Sequence, residues 1–289
     1  MPARVTVLGS VNMDLVATTA VRPAGGETVL GTAFATGPGG KGSNQAIAAA
    51  RAGARTRFLG AVGDDAFATT LRGTLAAAGV DIDLLRVIPG PSGVAVIVVD
   101  AAGENSIVVV PGANGAFTDL DDQELARIAQ SDALLCQFET PMDTVVAGAA
   151  HAHSSGTLVF VNPSPVQPLP ADLIGSVDVL IVNETEFAQL GAATVERVPH
   201  VVTTLGGRGA TWRGPDGVAV HVAAPPVAVV DTTGAGDAFA GTLAASWHLG
   251  PERALRRAVV GGSLATTRAG AAASSPTADE VDALLARHS

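Results

Sequence analysis

Apolar positions in this chain fall into two rhythms. Short β-branched runs alternate with Ala-rich stretches whose apolar residues recur at helical spacing. Residues 5–8, ending at Gly9, predict a buried strand. Residues 17–36 are Thr-rich and broken by Pro23 and Gly25-Gly26, which predicts short exposed strands. Helices are expected at 43–52, with Ser43 and Asn44 as caps, and at 65–78, around a strand at 56–62. The runs 94–99 and 106–110 flank turn formers at 100–105 and read as a hairpin that extends the 17–36 strands. Strand 133–138, helix 143–153, strands 158–161 and 179–182, helix 184–190 and strand 201–204 follow. Such alternation argues for a mainly parallel sheet covered by helices. A second hairpin is expected from 210–213 and 218–222 around Pro215-Asp216-Gly217. A β-branched strand at 227–230 then feeds helices at 235–248, 251–268 and 278–287.

Composition narrows the functional classes. The 289 residues suffice for a full core. With 47% hydrophobic and 15% charged residues the chain is globular. Tyr is absent, so the core must pack through small and branched aliphatic side chains. A net charge of -10 repels a phosphate backbone and argues against nucleic acid as a partner. A small anion such as ATP stays admissible, because backbone dipoles and Mg²⁺ override net charge locally. The single Cys136 allows no intrachain disulfide, which fits a reducing cytoplasm. Signal-peptide order is missing at the N-terminus, and no apolar stretch reaches membrane-spanning length. A cytoplasmic location away from membranes is expected.

The sharpest chemical signal is Asp231-Thr232-Thr233-Gly234-Ala235-Gly236-Asp237. Here a β-branched run meets a small-residue turn and then at once a helix. Free N–H groups of Gly234, Ala235 and Gly236 at the helix start would neutralise a transferring phosphoryl group, and glycine admits close approach. Asp237, in the first helical turn, is placed to take a proton from an attacking hydroxyl. Phosphoryl transfer asks for positioning more than for a strong base. Alone, the stretch also reads as a plain helix start after a glycine turn. It lacks the last glycine of the dinucleotide fingerprint. Residues 37–43 mimic a P-loop, but Gly42 stands where Ser or Thr belongs. Instead they gather Gly40, Lys41 and Asn44 beside a helix start, the mix of donors and acceptors a polyol needs.

Asn12 and Asp14 follow the first strand, where open α/β sheets bind ligands, and as alternate residues of an extended segment they share one face. Asn183 and Glu186 share a helix face after strand 179–182. A carboxylate there suits Mg²⁺ held through water beside ATP phosphates, or simply a capped helix start. Thr204 leads into the glycine-rich Gly206-Gly207-Arg208-Gly209, suited to adenine or phosphate, or to a turn. His151 and His153 diverge on a helix and have no third ligand close in sequence.

In order and spacing these motifs resemble the ribokinase branch of the ribokinase / phosphofructokinase-B carbohydrate kinase family. Matching signatures include residues 9–14, 39–45, 112–114, 139–141, 183–186, 204–206 and 231–237, and the similarity runs from Val5 to about Leu284. The resemblance implies an α/β fold: a single three-layer α/β/α domain over 1–289 with a mainly parallel central sheet. A small β-sheet lid would come from 17–36 and 94–110, and two protomers would clasp through their lids into a homodimer. The implied activity is ATP-dependent phosphorylation of D-ribose at its 5-hydroxyl. Asn12, Asp14, Gly40, Lys41, Asn44 and Glu139 would hold the sugar. Asp237 would deprotonate it, and Gly234, Ala235 and Gly236 would form the anion hole. Asn183, Thr204, Gly206, Gly207, Arg208, Gly209 and Gly236 would bind ATP, with Glu186 near Mg²⁺. A K⁺ ion would rest on oxygens of Asp231, Thr233, Ala265, Arg268, Gly270 and Ser274. Between Glu186 and Thr204 the chain is shorter than the family pattern, which implies a trimmed helix on the nucleotide side. Val259 implies an apolar contact to adenine.

Two other functions share these residues. A related kinase would act on deoxyribose, another sugar or a nucleoside. A sugar-binding regulator would have lost catalysis, against which an intact Asp237 argues. Ribose and 2-deoxyribose differ by one hydroxyl contact that no motif reads.

Overall fold

The computed structural model describes residues 1–287. Strand β1 (Arg4–Leu8) opens the chain, followed by β2 (Asn12–Thr19), β3 (Gly31–Gly39) and helix α1 (Lys41–Arg51). Next come β4 (Arg55–Leu59), the short β5 (Ala61–Val62), α2 (Ala68–Ala77) and the short β6 (Arg86–Val87). The hairpin of β7 (Gly93–Val99) and β8 (Asn105–Val110) precedes α3 (Ala113–Ala116) and α4 (Asp122–Ala129). The alternating region contains β9 (Ala133–Cys136), α5 (Met142–Ser154), β10 (Leu158–Val161), α6 (Ala171–Ile174) and β11 (Val179–Asn183). Helices α7 (Glu184–Leu190) and α8 (Ala192–Val195) lead to β12 (His200–Thr204) and the hairpin of β13 (Ala210–Arg213) and β14 (Ala219–Val222). Helices α9 (Ala235–Ser246), α10 (Pro251–Ala265), α11 (Ala271–Ser274) and α12 (Ala278–Arg287) close the chain.

Eight strands form the main sheet in the order β14-β13-β12-β11-β10-β9-β1-β4. All its pairs are parallel except the two made by β13. Successive residues of its central strands enter opposite cores, as the strand period of two requires. Val5, Val7 and Leu135 pack toward α1, α9 and α10, whereas Leu8, Leu134 and Cys136 pack toward α5. Three layers result. A smaller four-stranded sheet, β3-β2-β7-β8, stands apart from the main one. Among the described residues no helix is long and apolar enough to cross a membrane.

Small residues let the helices approach closely. A Cβ added at Gly241 of α9 would fall 2.4 Å from the Gln45 carbonyl oxygen of α1. Asp237 lies one turn before Gly241, on the same helix face, and so comes to rest beside Asn44 and Gln45.

Several elements differ from the sequence pattern. Asn12 and Asp14 belong to a full strand, β2, that begins at Asn12, because β7 and β3 pair with it on both sides. Helix α1 begins at Lys41 after Gly40, so Ser43 and Asn44 are interior residues and not caps. The Ser43 hydroxyl donates back to the carbonyl of Gly39 at 2.6 Å. The 56–62 run breaks at Gly60 into two strands with different partners, β4 beside β1 and β5 beside β6, and a side chain at Gly60 would meet the Gly9 carbonyl oxygen at 2.5 Å. Residues 227–230 form no strand: Val229 and Val230 are 62% and 66% exposed, and the Val230 N–H bonds Thr266 beyond α10. β-branched composition alone does not make a strand without a neighbouring edge to pair.

Candidate active site

The start of β2, the segments that follow β9 and β10, the start of α1 and the start of α9 converge on one cleft of about 700 Å³. Asn12, Asp14, Gly40, Lys41, Asn44, Glu139, Thr233, Gly234 and Asp237 all line it. Ala95 and Ile97 of β7 with Ile107 and Val109 of β8 supply its apolar wall. They are cross-strand pairs on one face of the smaller sheet.

Hydrogen bonds hold these polar groups in fixed orientations. Asn114, fully buried, accepts from the Val11 N–H at 2.9 Å, and its Nδ2 donates to Asn12 Oδ1 at 2.7 Å. Asn12 is thereby left with its amide N–H₂ as the free end. Glu139 accepts from the Ser10 hydroxyl at 2.5 Å and from the Lys41 backbone N–H at 3.0 Å. Asp237 accepts from Asn44 Nδ2 at 3.0 Å and from Gln45 Nε2 at 2.9 Å. Burial pushes the Asp237 carboxyl above the ordinary range, while Lys41, Gln45 and Asn44 pull against that rise. Asp14 is pushed up to about 6, by burial first and then by the nearby Glu139 and Asp237 carboxylates.

Gly234 caps α9 in the left-handed conformation, at φ 74. A Cβ there would also sit 2.7 Å from the Ala271 Cα, so only glycine fits. Among the described residues the N–H groups of Gly234 and Gly236 have no backbone partner. Ala235 differs from the expected free donor: its N–H bonds the Thr232 carbonyl at 3.2 Å and closes the turn. A Cβ at Gly236 would meet nothing within 4 Å, which leaves room for a ligand against this helix start.

A second cleft of about 570 Å³ lies on the far side of that turn. Thr204, Gly206, Gly207, Gly209, Ala235 and Gly236 line it, along with Val227, Val229, Phe239 and Val259. Flat glycine backbone facing apolar side chains suits a planar heterocycle such as adenine. Arg208 does not line this cleft; its guanidinium turns to the Glu184 carboxylate at 2.5 Å. Between the clefts is a small polar cavity of about 150 Å³ lined by Lys41, Asn162, Asn183, Glu186, Thr204, Gly234, Gly236 and Asp237. Asn183 and Glu186 cap helix α7 reciprocally, each side chain accepting from the other's N–H at 2.8 Å.

Among the described residues no three His, Cys, Asp or Glu side chains converge as a metal cage. Glu186 is the one carboxylate besides Asp237 on the small cavity, which fits a Mg²⁺ bound chiefly by phosphates and water. Asp231 accepts from the Thr233 and Gly270 N–H groups, both at 2.9 Å. Despite partial burial, those bonds hold its carboxyl below the usual range. This loop offers hard oxygen donors to a monovalent cation. Of the other expected ion ligands, the Ser274 hydroxyl donates to the Ala271 carbonyl at 2.9 Å and the Ala265 carbonyl accepts from the Arg268 N–H at 3.4 Å, and both oxygens keep a lone pair; the Arg268 side chain pairs with Glu280, which leaves its backbone carbonyl unengaged by that contact.

Gln45, Asn114 and Ser10 lie in the matching signatures, but no individual role was expected of them. Gln45 carried a signal all the same: a polar residue on the buried face of an Ala-rich helix needs a partner. The apolar wall from β7 and β8 had no chemical signature at all.

Comparison with known proteins places this architecture. The pfkB family carbohydrate kinase profile matches residues 2–278. Ribokinase of Bacillus subtilis is 40% identical, over 97% of this chain and 99% of its own length. Deoxyribokinase of Salmonella typhimurium is 32% identical, over 97% of this chain and 98% of its own. The structure of Arabidopsis thaliana ribokinase complexed with ribose and ATP superposes with a TM-score of 0.91 at 31% identity, covering 99% of both chains.

Proposed function

The chain belongs to the pfkB family of carbohydrate kinases, and from that membership we propose that it transfers the γ-phosphoryl group of ATP to the 5-hydroxyl of D-ribose, giving D-ribose 5-phosphate and ADP. One observation carries this reading: three cavities lie side by side and share lining residues. Lys41, Gly234 and Asp237 line both the wide cleft and the small polar cavity, while Thr204 and Gly236 line both that cavity and the apolar cleft. A sugar hydroxyl and a terminal phosphate entering from opposite ends meet at Asp237.

Asn12, Asp14, Asn44 and Glu139 hold the sugar hydroxyls through oriented donors and acceptors. The Asp237 carboxylate takes the proton from the 5-hydroxyl as its oxygen attacks. The N–H groups of Gly234 and Gly236, with Lys41, face the charge on the transferring group. Thr204, Gly206, Gly207 and Gly209 hold the nucleotide. Glu186 and Asn183 would bind Mg²⁺ through its water shell, and the ion neutralises phosphate charge when bound. Oxygens of Asp231, Thr233, Ala265, Arg268, Gly270 and Ser274 would hold K⁺, which would support the charge of the anion hole.

The smaller sheet serves as a lid within a single domain, its Ala95, Ile97, Ile107 and Val109 excluding water from the sugar. Its other face carries Phe34, Val96 and Val108, 68%, 41% and 63% exposed, and a second copy of the chain covers it in a homodimer. The protein works in the cytoplasm on small molecules, with neither nucleic acid nor membrane as partner.

The deoxyribokinase relative supports a second substrate, 2-deoxyribose. The test is ADP release from Mg²⁺-ATP with a sugar panel led by D-ribose, with and without K⁺. Ribose-dependent turnover stimulated by K⁺ is the expected result. A preference for 2-deoxyribose moves the substrate and keeps the mechanism. Silence across the panel leaves a sugar-binding regulator.

A further inference from the structure

Asp237 is gripped from the side away from the sugar cleft. Gln45, fully buried on α1, donates through Nε2 to Asp237 Oδ1 at 2.9 Å and to Asn162 Oδ1 at 3.0 Å. Its Oε1 accepts from Gln137 Nε2 at 2.6 Å. Gln137, also fully buried, follows β9, and Asn162 follows β10 and donates to the Ile181 carbonyl of β11 at 3.0 Å. Three primary amides thus form one chain anchored on three adjacent parallel strands.

Chemistry sets the direction of that chain. Turning the Gln45 amide over would aim its Oε1 at the Asp237 carboxylate and its Nε2 at another N–H₂. Only one orientation is compatible: Asp237 and Asn162 both take the Nε2 donor, and Gln137 holds the Oε1 end from behind. Among the described residues Gln137 Oε1 itself has no partner. A buried unmade hydrogen bond is a cost that Met, similar in shape, would not carry. Packing therefore gives no reason for glutamine at 137, whereas orienting Gln45 does.

We propose that Gln137 and Gln45 are positioning residues for phosphoryl transfer: Gln137 locks the Gln45 amide, and Gln45 fixes the Asp237 carboxylate toward the reacting hydroxyl while tying it through Asn162 to the phosphate-side cavity. This role rests on Asp237 being the base. The charged groups facing Asp237 are Lys41 from α1, Glu139 after β9, Asp14 from β2 and, across the small cavity, Glu186. None belongs to the amide chain, so substitutions along it leave the local charges in place.

The experiment compares the full-length protein with Gln45→Met and Gln137→Met. It measures kcat and KM for ribose, Tm, and the ¹³C NMR titration of labelled aspartate carboxyls, with Asp237→Asn assigning the signal. Gln45→Met is expected to lower kcat ~10- to 100-fold, the worth of one hydrogen bond to an ionised group. KM should stay within about twofold, and the Asp237 carboxyl should titrate at higher pH. Gln137→Met is expected to lower kcat by roughly 3- to 10-fold with little net change in Tm, because it removes the unpartnered Gln137 Oε1 but orphans Gln45 Oε1. Wild-type kcat in a folded Gln137→Met protein overturns the proposal. So does a joint fall of kcat and Tm with the Asp237 titration unmoved, the outcome of a purely structural role. Should the wild type turn over no sugar, the kinase reading fails on its own; the carboxyl titration of Gln45→Met still decides, a shift supporting the grip on Asp237 and no shift overturning it.

Discussion

At Asp237 burial and hydrogen bonding act on one charge in opposite senses. Burial favours the neutral acid, whereas Lys41, Gln45 and Asn44 favour the carboxylate. Asp237→Asn keeps the shape and removes the proton acceptor, so kcat is expected to fall ~10²- to 10⁴-fold. Tm should hold or rise. A steady-state ADP-release assay checks this, and a wild-type rate would remove the base role. Asp14 makes the pH dependence visible. Its carboxyl stands at about 6 against an ordinary 3.8, so the native chain binds more protons than the unfolded one between those values. The stability tied to this group is full below the ordinary value and is lost as pH rises through about 6. Sugar binding runs the other way, because the ionised carboxylate is the stronger acceptor. KM for ribose is expected to climb several-fold as pH falls from about 7 to about 5, and Asp14→Asn to flatten the profile at a higher KM. A pH-independent wild-type KM would exclude Asp14 from the sugar contacts.

One helix contact governs the precision of the site. Helices α1 and α9 touch at Gly241, where an added methyl group would meet backbone and not a yielding side chain. Gly241→Ala is expected to cost ~1–3 kcal/mol through overpacking. By parting Asn44 and Gln45 from Asp237 it should lower kcat as well. Thermal melts and kinetics on the same preparation test both effects, and a variant matching the wild type in both would show that the two helices have slack. The extent of α1 was partly legible: its Ala-rich stretch predicts a helix, but the Gly39-Gly40 turn that starts it at Lys41 comes from pairing of β3 with β2. The glycine turn at 231–237 was legible from its residues, although no strand precedes it and the Ala235 N–H is taken by Thr232. Its glycines answer to Ala271 and to open space, and those requirements do not depend on what lies upstream.

Taken whole, the molecule combines a closed three-layer body with a small sheet that exposes apolar residues on both faces. Ile107 and Val109 turn to the cleft, and Val96 and Val108 turn away from it. Val108→Asp is expected to convert a dimer to monomer in sedimentation velocity, with the melt of the main body unchanged. A monomeric wild type at micromolar concentration would defeat the dimer.

Hydrophobic period and turn residues are local properties, so the α/β class, the parallel core strands, both hairpins and the glycine turn before Asp237 could be read along the chain. Pairing partners are not local. Asn44 and Gln45 reach Asp237 across 193 and 192 residues, and Asn114 reaches Asn12 across 102. Which amides hold Asp237, which valines fail to become a strand and which carboxylate Arg208 turns to were settled by helix approach, sheet edges and opposite charge. Those forces act between surfaces that meet only once the chain has folded.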